Sequence, residues 1–288
     1  MMTARKAVKF VLMWMSLAVL FNLGVWYFEG SAKALEFLGG YIIELSLSVD
    51  NLFVFLMIFT SFGIKKEYQR RTLNYGIIGA IVLRAIFILL GIKVVNSIHW
   101  ILYIFGLILI VSGFKMIFGH EDNKDYTDSK VLKILKKIIP VSDTLHEEKF
   151  FIRHGGKLLA TPLFAVLIII ESSDVLFAID SIPAVFSIST DPFIVYTSNI
   201  FAILGLRSLY FVLNALHEKF KYVKVGVALI LMFTGVKLGI LFFHIEIPIV
   251  ISLATIFALL VGSIIISLIA TRKEKKDEEE VKLKKVDL

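Results

Sequence analysis

Along this chain the apolar residues gather into long blocks, with no one-sided stripe of the kind a soluble helix shows. The blocks run at roughly 8–28, 38–60, 74–92, 98–118, 158–181, 194–214, 222–243 and 248–270. Several reach the ~20 residues with which a helix crosses ~30 Å of hydrocarbon. The pattern predicts an all-α, polytopic helical membrane protein of about eight transmembrane helices. The first block follows Arg5, Lys6 and Lys9. It is too long for the core of a signal peptide and lacks a small-x-small cleavage site, so it is read as a membrane helix.

Basic and non-basic connections alternate between the blocks. Arg5, Lys6 and Lys9 precede the first, whereas Glu29, Lys33 and Glu36 follow it. Next come Lys65, Lys66, Arg70 and Arg71, then a turn around Asn96 and His99 with only Lys93 nearby. Loop 119–157 carries eight Lys and Arg residues, and 182–193 carries Asp191 and no base. Lys219, Lys221 and Lys224 follow, then His244 and Glu246, then Arg272, Lys273, Lys275 and Lys276. Lys and Arg mark cytoplasmic connections. Both termini are therefore expected inside, with an even number of spans in the plasma (inner) membrane.

Within loop 119–157, Val131, Leu132, Ile134, Leu135, Ile138 and Ile139 repeat at helical spacing between lysines, with Pro140 as a stop. This predicts a short helix in the cytoplasmic interface. The tail 272–288 alternates Lys with Glu or Asp and is expected to be solvated.

An internal repeat emerges from the charged positions. Ser48-Val-Asp50-Asn51-Leu-Phe aligns with Ser172-Ser-Asp174-Val-Leu-Phe, Leu83-Arg84-Ala85 with Leu206-Arg207-Ser208, and Gly113-Phe-Lys115 with Gly235-Val-Lys237, at offsets of 124, 123 and 122. Apolar helices align readily with one another, but matched Asp, Arg and Lys do not arise that way, because each intramembrane charge is costly. Each copy holds three spans, so the second is expected upside down, the arrangement many secondary transporters build around a midplane site. The expected organisation is an N-terminal helix (1–35), a first three-helix repeat (36–118), the loop (119–157), a second repeat (158–243), a final helix (244–271) and the charged tail (272–288).

Composition sharpens this. The chain is 58 % hydrophobic and 19 % charged, more apolar surface than one soluble core of 288 residues can hide. There is no cysteine, so disulfides, thiolate metal sites and Cys nucleophiles are excluded. The net charge of +7 lies in the connections, with no aromatic-laced basic patch for nucleic acid.

Two acidic clusters fall inside the spans: Glu44, Asp50 and the adjoining Asn51, and Glu171, Asp174 and Asp180 with Ser181. An acid at the centre of a lipid-facing helix costs ~2.5–3.5 kcal/mol by insertion scales, so five of them need partners or a cation. At 100° per residue Glu44, Ser48 and Asn51 share one face, as do Glu171 and Asp174, whereas Asp50 and Asp180 point elsewhere on straight helices. Convergence of all the acids would need breaks, expected at Ser46–Val49 and before Pro183. The oxygen-rich donor set favours Mg²⁺, Ca²⁺ or Mn²⁺ and does not choose among them. Arg84 and Arg207 are the expected charge-balancing partners, with Ser48 and Ser181 as secondary donors. Lys115 and Lys237 lie near span ends and are expected to snorkel. The six histidines sit in connections. His120 with Glu121, Asp122 and Asp125 offers an acidic loop without ligand spacing. Trp26 and Trp100 are expected as interface anchors.

At Glu44…Asp50-Asn51 and Glu171-Ser-Ser-Asp174…Asp180-Ser-Ile-Pro-Ala184 the sequence resembles the TerC family of bacterial integral membrane proteins. The stretch Thr190-Asp-Pro-Phe-Ile-Val-Tyr through Gly205-Leu-Arg-Ser-Leu-Tyr210 is similar to that family's most recognisable segment. The resemblance covers about 36–243. It implies efflux of Mn²⁺ across the plasma membrane, with Glu44, Asp50, Asn51, Glu171, Asp174 and Asp180 binding the ion. The expected function is a secondary transporter working by alternating access, with protons as counter-ion and no organic cofactor. The alternative is a non-transporting membrane scaffold or assembly factor whose acids are structural ion pairs. An organic-solute exporter has no matching pocket signature, and an intramembrane enzyme lacks a nucleophile–base pair.

Overall fold

Each apolar block becomes a helix, and the chain's local chemistry explains where most of them stop. The computed structural model describes residues 4–98, 100–118, 127, 129–142, 144, 148–154, 157–216 and 223–286, with backbone alone at 4, 50, 154, 157, 215–216 and 272–286. The elements are α1 Ala4–Glu29, α2 Ser31–Ser61, α3 Lys66–Ser97, α4 Ile101–Phe118, α5 Lys130–Ile138, β1 Phe151–His154, β2 Lys157–Ala160, α6 Pro162–Phe186, α7 Pro192–Leu216, α8 Val223–Ile240 and α9 Ile249–Val286. The structure is 86 % helical. Eight of the helices, all but α5, are long and apolar enough to cross a membrane. Trp26 and Trp100 are both exposed, at 58 % and 60 %.

Gly63, at φ +60°, ends α2 through backbone bonds from Gly63 N to Thr60 O (3.0 Å) and from Ile64 N to Phe59 O (2.9 Å). Thr161 opens α6: its hydroxyl accepts from Phe164 N (3.4 Å) and donates to Lys149 O (2.6 Å), with Pro162 in the first turn. Asp191 opens α7, accepting from Phe193 N (2.9 Å) and Ile194 N (3.3 Å).

Three sequence expectations need correction. Neither α2 nor α6 is broken. Ser46 donates to Ile42 O (2.6 Å) inside an intact α2, so its hydroxyl supplements the helical ladder. Pro183 sits in the last turn of α6, where the missing donor ends one hydrogen bond and the helix stops at Phe186. The block beginning at 158 starts early, because 157–160 pairs antiparallel with 151–154 in a short hairpin. Helix α5 does not merely lie in the interface. Ser129 caps it by accepting from Leu132 N (3.3 Å), and Leu132 and Leu135 are buried in the bundle while Ile134 and Ile138 stay exposed. The backbone of α9 continues as helix to Val286 through the charged tail. That stretch is made of strong helix formers with Glu–Lys pairs at i,i+4. Residues His99, His120, Glu121, Asp122, Asp125, His146 and His217 lie outside the described residues.

Packing places α2, α3, α6 and α7 against one another, with α1 laid on α7 and α2, and α9 on α8 and α2. The closest pair is α4 with α8, and glycine makes it possible. A Cβ on Gly235 would meet the Gly106 carbonyl oxygen at 2.6 Å and Ile110 Cγ1 at 2.8 Å. A Cβ on Gly113 would meet Met232 Cγ at 2.5 Å and the Ala228 carbonyl oxygen at 2.7 Å. Small residues of this kind let membrane helices approach backbone to backbone. Shifting each partner by the 122-residue offset turns the first set of contacts into the second: 235 becomes 113, 106 becomes 228, and 110 becomes 232.

Candidate functional site

Arg84, 1 % exposed on α3, is the hub of a buried polar cluster. Its Nη1 donates to Glu44 Oε1 on α2 and, at 3.4 Å, to Ser181 Oγ on α6; its Nη2 donates to Asp174 Oδ1 at 3.5 Å. The second Glu44 oxygen accepts from Asn199 Nδ2 of α7 at 2.9 Å. One guanidinium thus joins α2, α3 and α6, and Glu44 extends the network to α7. The cluster still carries unmet demand. Asp174 Oδ2, Glu171 Oε2, Ser48 Oγ, Arg84 Nε and Asn199 Oδ1 are buried without a hydrogen-bond partner. Native structures rarely leave buried polar atoms unpaired, so this concentration is informative.

Glu171 stands one turn before Asp174 on the same face of α6, as its spacing requires. Its carboxylate lies against α3 at Gly79, where any Cβ would collide with it, and Gly76 lines the same groove. Glu171 and Asp174 border a small cavity with Arg207 and apolar residues of α2, α3 and α7, including Phe55 and Ala80. About 20 Å³ of it is open to the centre of a water molecule, room for one water or a bare cation. Among the described side chains, which do not include that of Asp50, Arg207 pairs with no acid and donates instead to Asn74 Oδ1 at 2.6 Å. A second polar pair joins the same two helices, Tyr210 Oη donating to Gln69 Oε1 at 3.0 Å.

Because α6 is continuous, Asp180 is carried away from the Arg84 hub. It accepts from Ser112 Oγ of α4 at 2.8 Å and borders a second small cavity with Asn51, Ser181 and Met116. Asn51 therefore belongs with Asp180, and Ser181 touches both places. Of Asp50 the structure gives the backbone position on α2 alone. Lys115 is exposed, consistent with snorkelling, whereas Lys237 is 9 % exposed and does not snorkel. Among the described residues no group of three or more His, Cys, Asp or Glu side chains is gathered tightly enough to hold a metal ion. The acids are split between two cavities and partly engaged by Arg84.

Sequence reasoning did not assign roles to Asn199, Ser112, Asn74 or Met116. The first three carried one usable signal, a polar side chain inside an apolar block. Met116 carried none.

A model of the integral membrane protein TerC family matches residues 29–275. The chain belongs to the TerC family. Among its TerC-family relatives is the "Putative membrane-bound redox modulator Alx" of Escherichia coli K12, 48 % identical over 274 residues that cover 92 % of this chain and 85 % of the relative. An "Uncharacterized membrane protein STKORF319" of Myxococcus xanthus is 44 % identical over 268 residues, 93 % of this chain and 84 % of that one. An "Uncharacterized membrane protein" of Rickettsia bellii is 42 % identical over 268 residues, 93 % and 88 % of the two chains. No solved structure matches.

Proposed function

We propose that this TerC-family chain is a secondary transporter that exports a divalent metal cation, Mn²⁺ by its family resemblance, by alternating access across the plasma membrane, both termini inside and protons as counter-ion. The observation that carries the reading is unbalanced buried charge. Glu44, Glu171 and Asp174 face one engaged arginine, Arg84, while Arg207 bonds Asn74 and Asp180 lies apart, beside Ser112 and within reach of the Lys115 charge. Glu171 and Asp174 each keep a buried oxygen with no donor, beside a cavity of ionic size. A dication would supply what those oxygens lack, and acids in the membrane interior mark ion and proton pathways.

Competition gives the cycle. Arg84 holds Glu44 and Asp174, so a cation reaching them displaces the guanidinium, and Arg84 reclaims them when the cation leaves. The carrier can then return without a bare cluster of negative charge. Two inverted three-helix repeats, 36–118 and 158–243, are the moving halves in this reading. The exchangeable contacts of α4 and α8 support a two-fold relation between them. The redox role in the E. coli relative's name cannot be thiol exchange by this chain itself, which has no cysteine, but a metal cargo would couple it to redox chemistry elsewhere.

The alternative, a membrane scaffold whose acids are structural, draws on the Arg84 ion pairs with Glu44 and Asp174. Reconstitution separates the two. Proteoliposomes with an imposed pH gradient are expected to move Mn²⁺, and Asp174→Asn is expected to abolish the flux while inserting and melting near the wild type. No divalent flux by the wild type, with no cation-dependent thermal stabilisation, would favour the scaffold. Wild-type flux in Asp174→Asn would remove that residue from the path.

A further inference from the structure

The cavity at Asp180 has a different donor chemistry from the Arg84 cluster. Four of its side chains carry donor atoms: the Asp180 carboxylate, the Asn51 amide, the Ser181 hydroxyl and the Met116 thioether. Ser112 donates to one Asp180 oxygen at 2.8 Å, and among the described residues no hydrogen-bond donor reaches the other. Asn51 is 3 % exposed, borders the cavity and has no hydrogen-bond partner among the described residues. A polar side chain without a partner is costly, and this one lines the cavity. Ser181 also accepts the 3.4 Å bond from Arg84, so this cavity adjoins the Arg84 cluster.

Met116 is the unusual member. A methionine on a packed membrane helix is ordinarily gap-filling, and leucine would serve as well. At this position Met116 lines the cavity together with the acid and the amide. Ca²⁺ prefers six to eight oxygens and Mg²⁺ an oxygen octahedron that keeps its waters, so neither gains from a thioether. A softer dication can use it together with oxygen ligands. Only one carboxylate lines the cavity, which suits a station that an ion must also leave.

We infer that the Asp180–Asn51 cavity is a selectivity station on the cation path and that the Met116 sulfur is its filter, favouring Mn²⁺, Fe²⁺ or Cd²⁺ over Ca²⁺ and Mg²⁺. The inference rests on the transport reading above and adds α4 to the machinery, through Met116 as filter and Ser112 as the group that positions Asp180.

The test is Met116→Leu, a swap of similar volume and shape class, in the full chain in proteoliposomes. Mn²⁺ flux is measured against competing Ca²⁺ and Mg²⁺, alongside X-ray absorption of bound Cd²⁺ as a soft probe. The wild type is expected to prefer Mn²⁺ and to show a sulfur neighbour around Cd²⁺. In Met116→Leu the Mn²⁺ to Ca²⁺ preference is expected to fall about tenfold or more, the scale on which altered metal shells change affinity, and the sulfur neighbour to disappear. If the wild type prefers Mn²⁺ and the variant keeps that preference, the sulfur role falls while the transport reading stands. If the wild type moves no divalent cation, the transport reading falls and takes this one with it. Should the variant fail to insert, the wild-type Cd²⁺ spectrum decides: no sulfur neighbour overturns the assignment, and a sulfur neighbour upholds it.

Discussion

Replacing Arg84 by methionine removes the one cation that three helices share. The side chain is 1 % exposed, and the two carboxylates it holds belong to residues that are 0 % and 4 % exposed. Methionine retains most of the aliphatic volume, so the effect is mainly electrostatic. Breaking a buried ion pair by deleting one partner costs ~3–5 kcal/mol, because the survivor stays buried and uncompensated. The two acids do not suffer equally. Glu44 keeps the 2.9 Å bond from Asn199, whereas Asp174 loses its one long bond and already has an unpaired oxygen. The penalty should therefore fall mostly on the α3–α6 contact. Reversible unfolding in mixed micelles should show Arg84→Met destabilised by ~3–5 kcal/mol. Adding Glu44→Gln should recover part of that loss, giving a coupling above ~1 kcal/mol in the double-mutant cycle. The same variant gives a functional reading. With the guanidinium gone, Mn²⁺ at a hundredfold excess over Kd should stabilise the variant by about 2.7 kcal/mol, and by more than the same concentration stabilises the wild type if the ion takes the vacated place. An Arg84→Met protein within ~1 kcal/mol of wild type, with no coupling to Glu44 and no added response to Mn²⁺, would refute the hub.

Two further outcomes follow from other parts of the bundle. Gly113→Leu and Gly235→Leu should each force α4 and α8 apart and lower the thermal midpoint by similar amounts, since their surroundings exchange under the repeat offset; Gly24→Ala, with open space where its Cβ would sit, should be neutral or slightly stabilising in the same melt. Burial pushes the Asp191 carboxyl up, but the hydrogen bond from Lys33, the amides of Ile194 and Phe193 and the Lys33 charge outweigh it, and the net shift is downward. A depressed acid stabilises above its unfolded pKa and loses that contribution as pH falls through the folded one. Protection from hydrogen exchange at the start of α7, taken against the intrinsic rate at each pH, should therefore fall as the medium is acidified below the ordinary carboxylate range, and Asp191→Asn should flatten that dependence.

How much of this was legible depended on range along the chain. Block lengths reported the spans, because hydrocarbon thickness fixes helix length whatever the neighbours are. The 3.6-residue period put Glu171 and Asp174 on one face and separated Asp180 from them, and it located Leu132 and Leu135 on one side of α5. The sequence was misread where local chemistry allowed two outcomes. Pro183 could have split α6 but fell in its last turn, and Ser46 could have opened α2 but bonded back into it.

By itself, then, the sequence determined the membrane as solvent, the eight candidate spans, the absence of cysteine chemistry and which costly acids lie within those spans. Tertiary structure alone decided their partners. Glu44 meets Arg84 and Asn199 across 40 and 155 residues, and Arg207 meets Asn74 across 133. Such pairings depend on how α2, α3, α6 and α7 rotate and slide when they pack. The physical reason is that hydrophobicity and helical period act on neighbours in the chain, whereas a buried charge takes whichever donor the packed helices bring within reach.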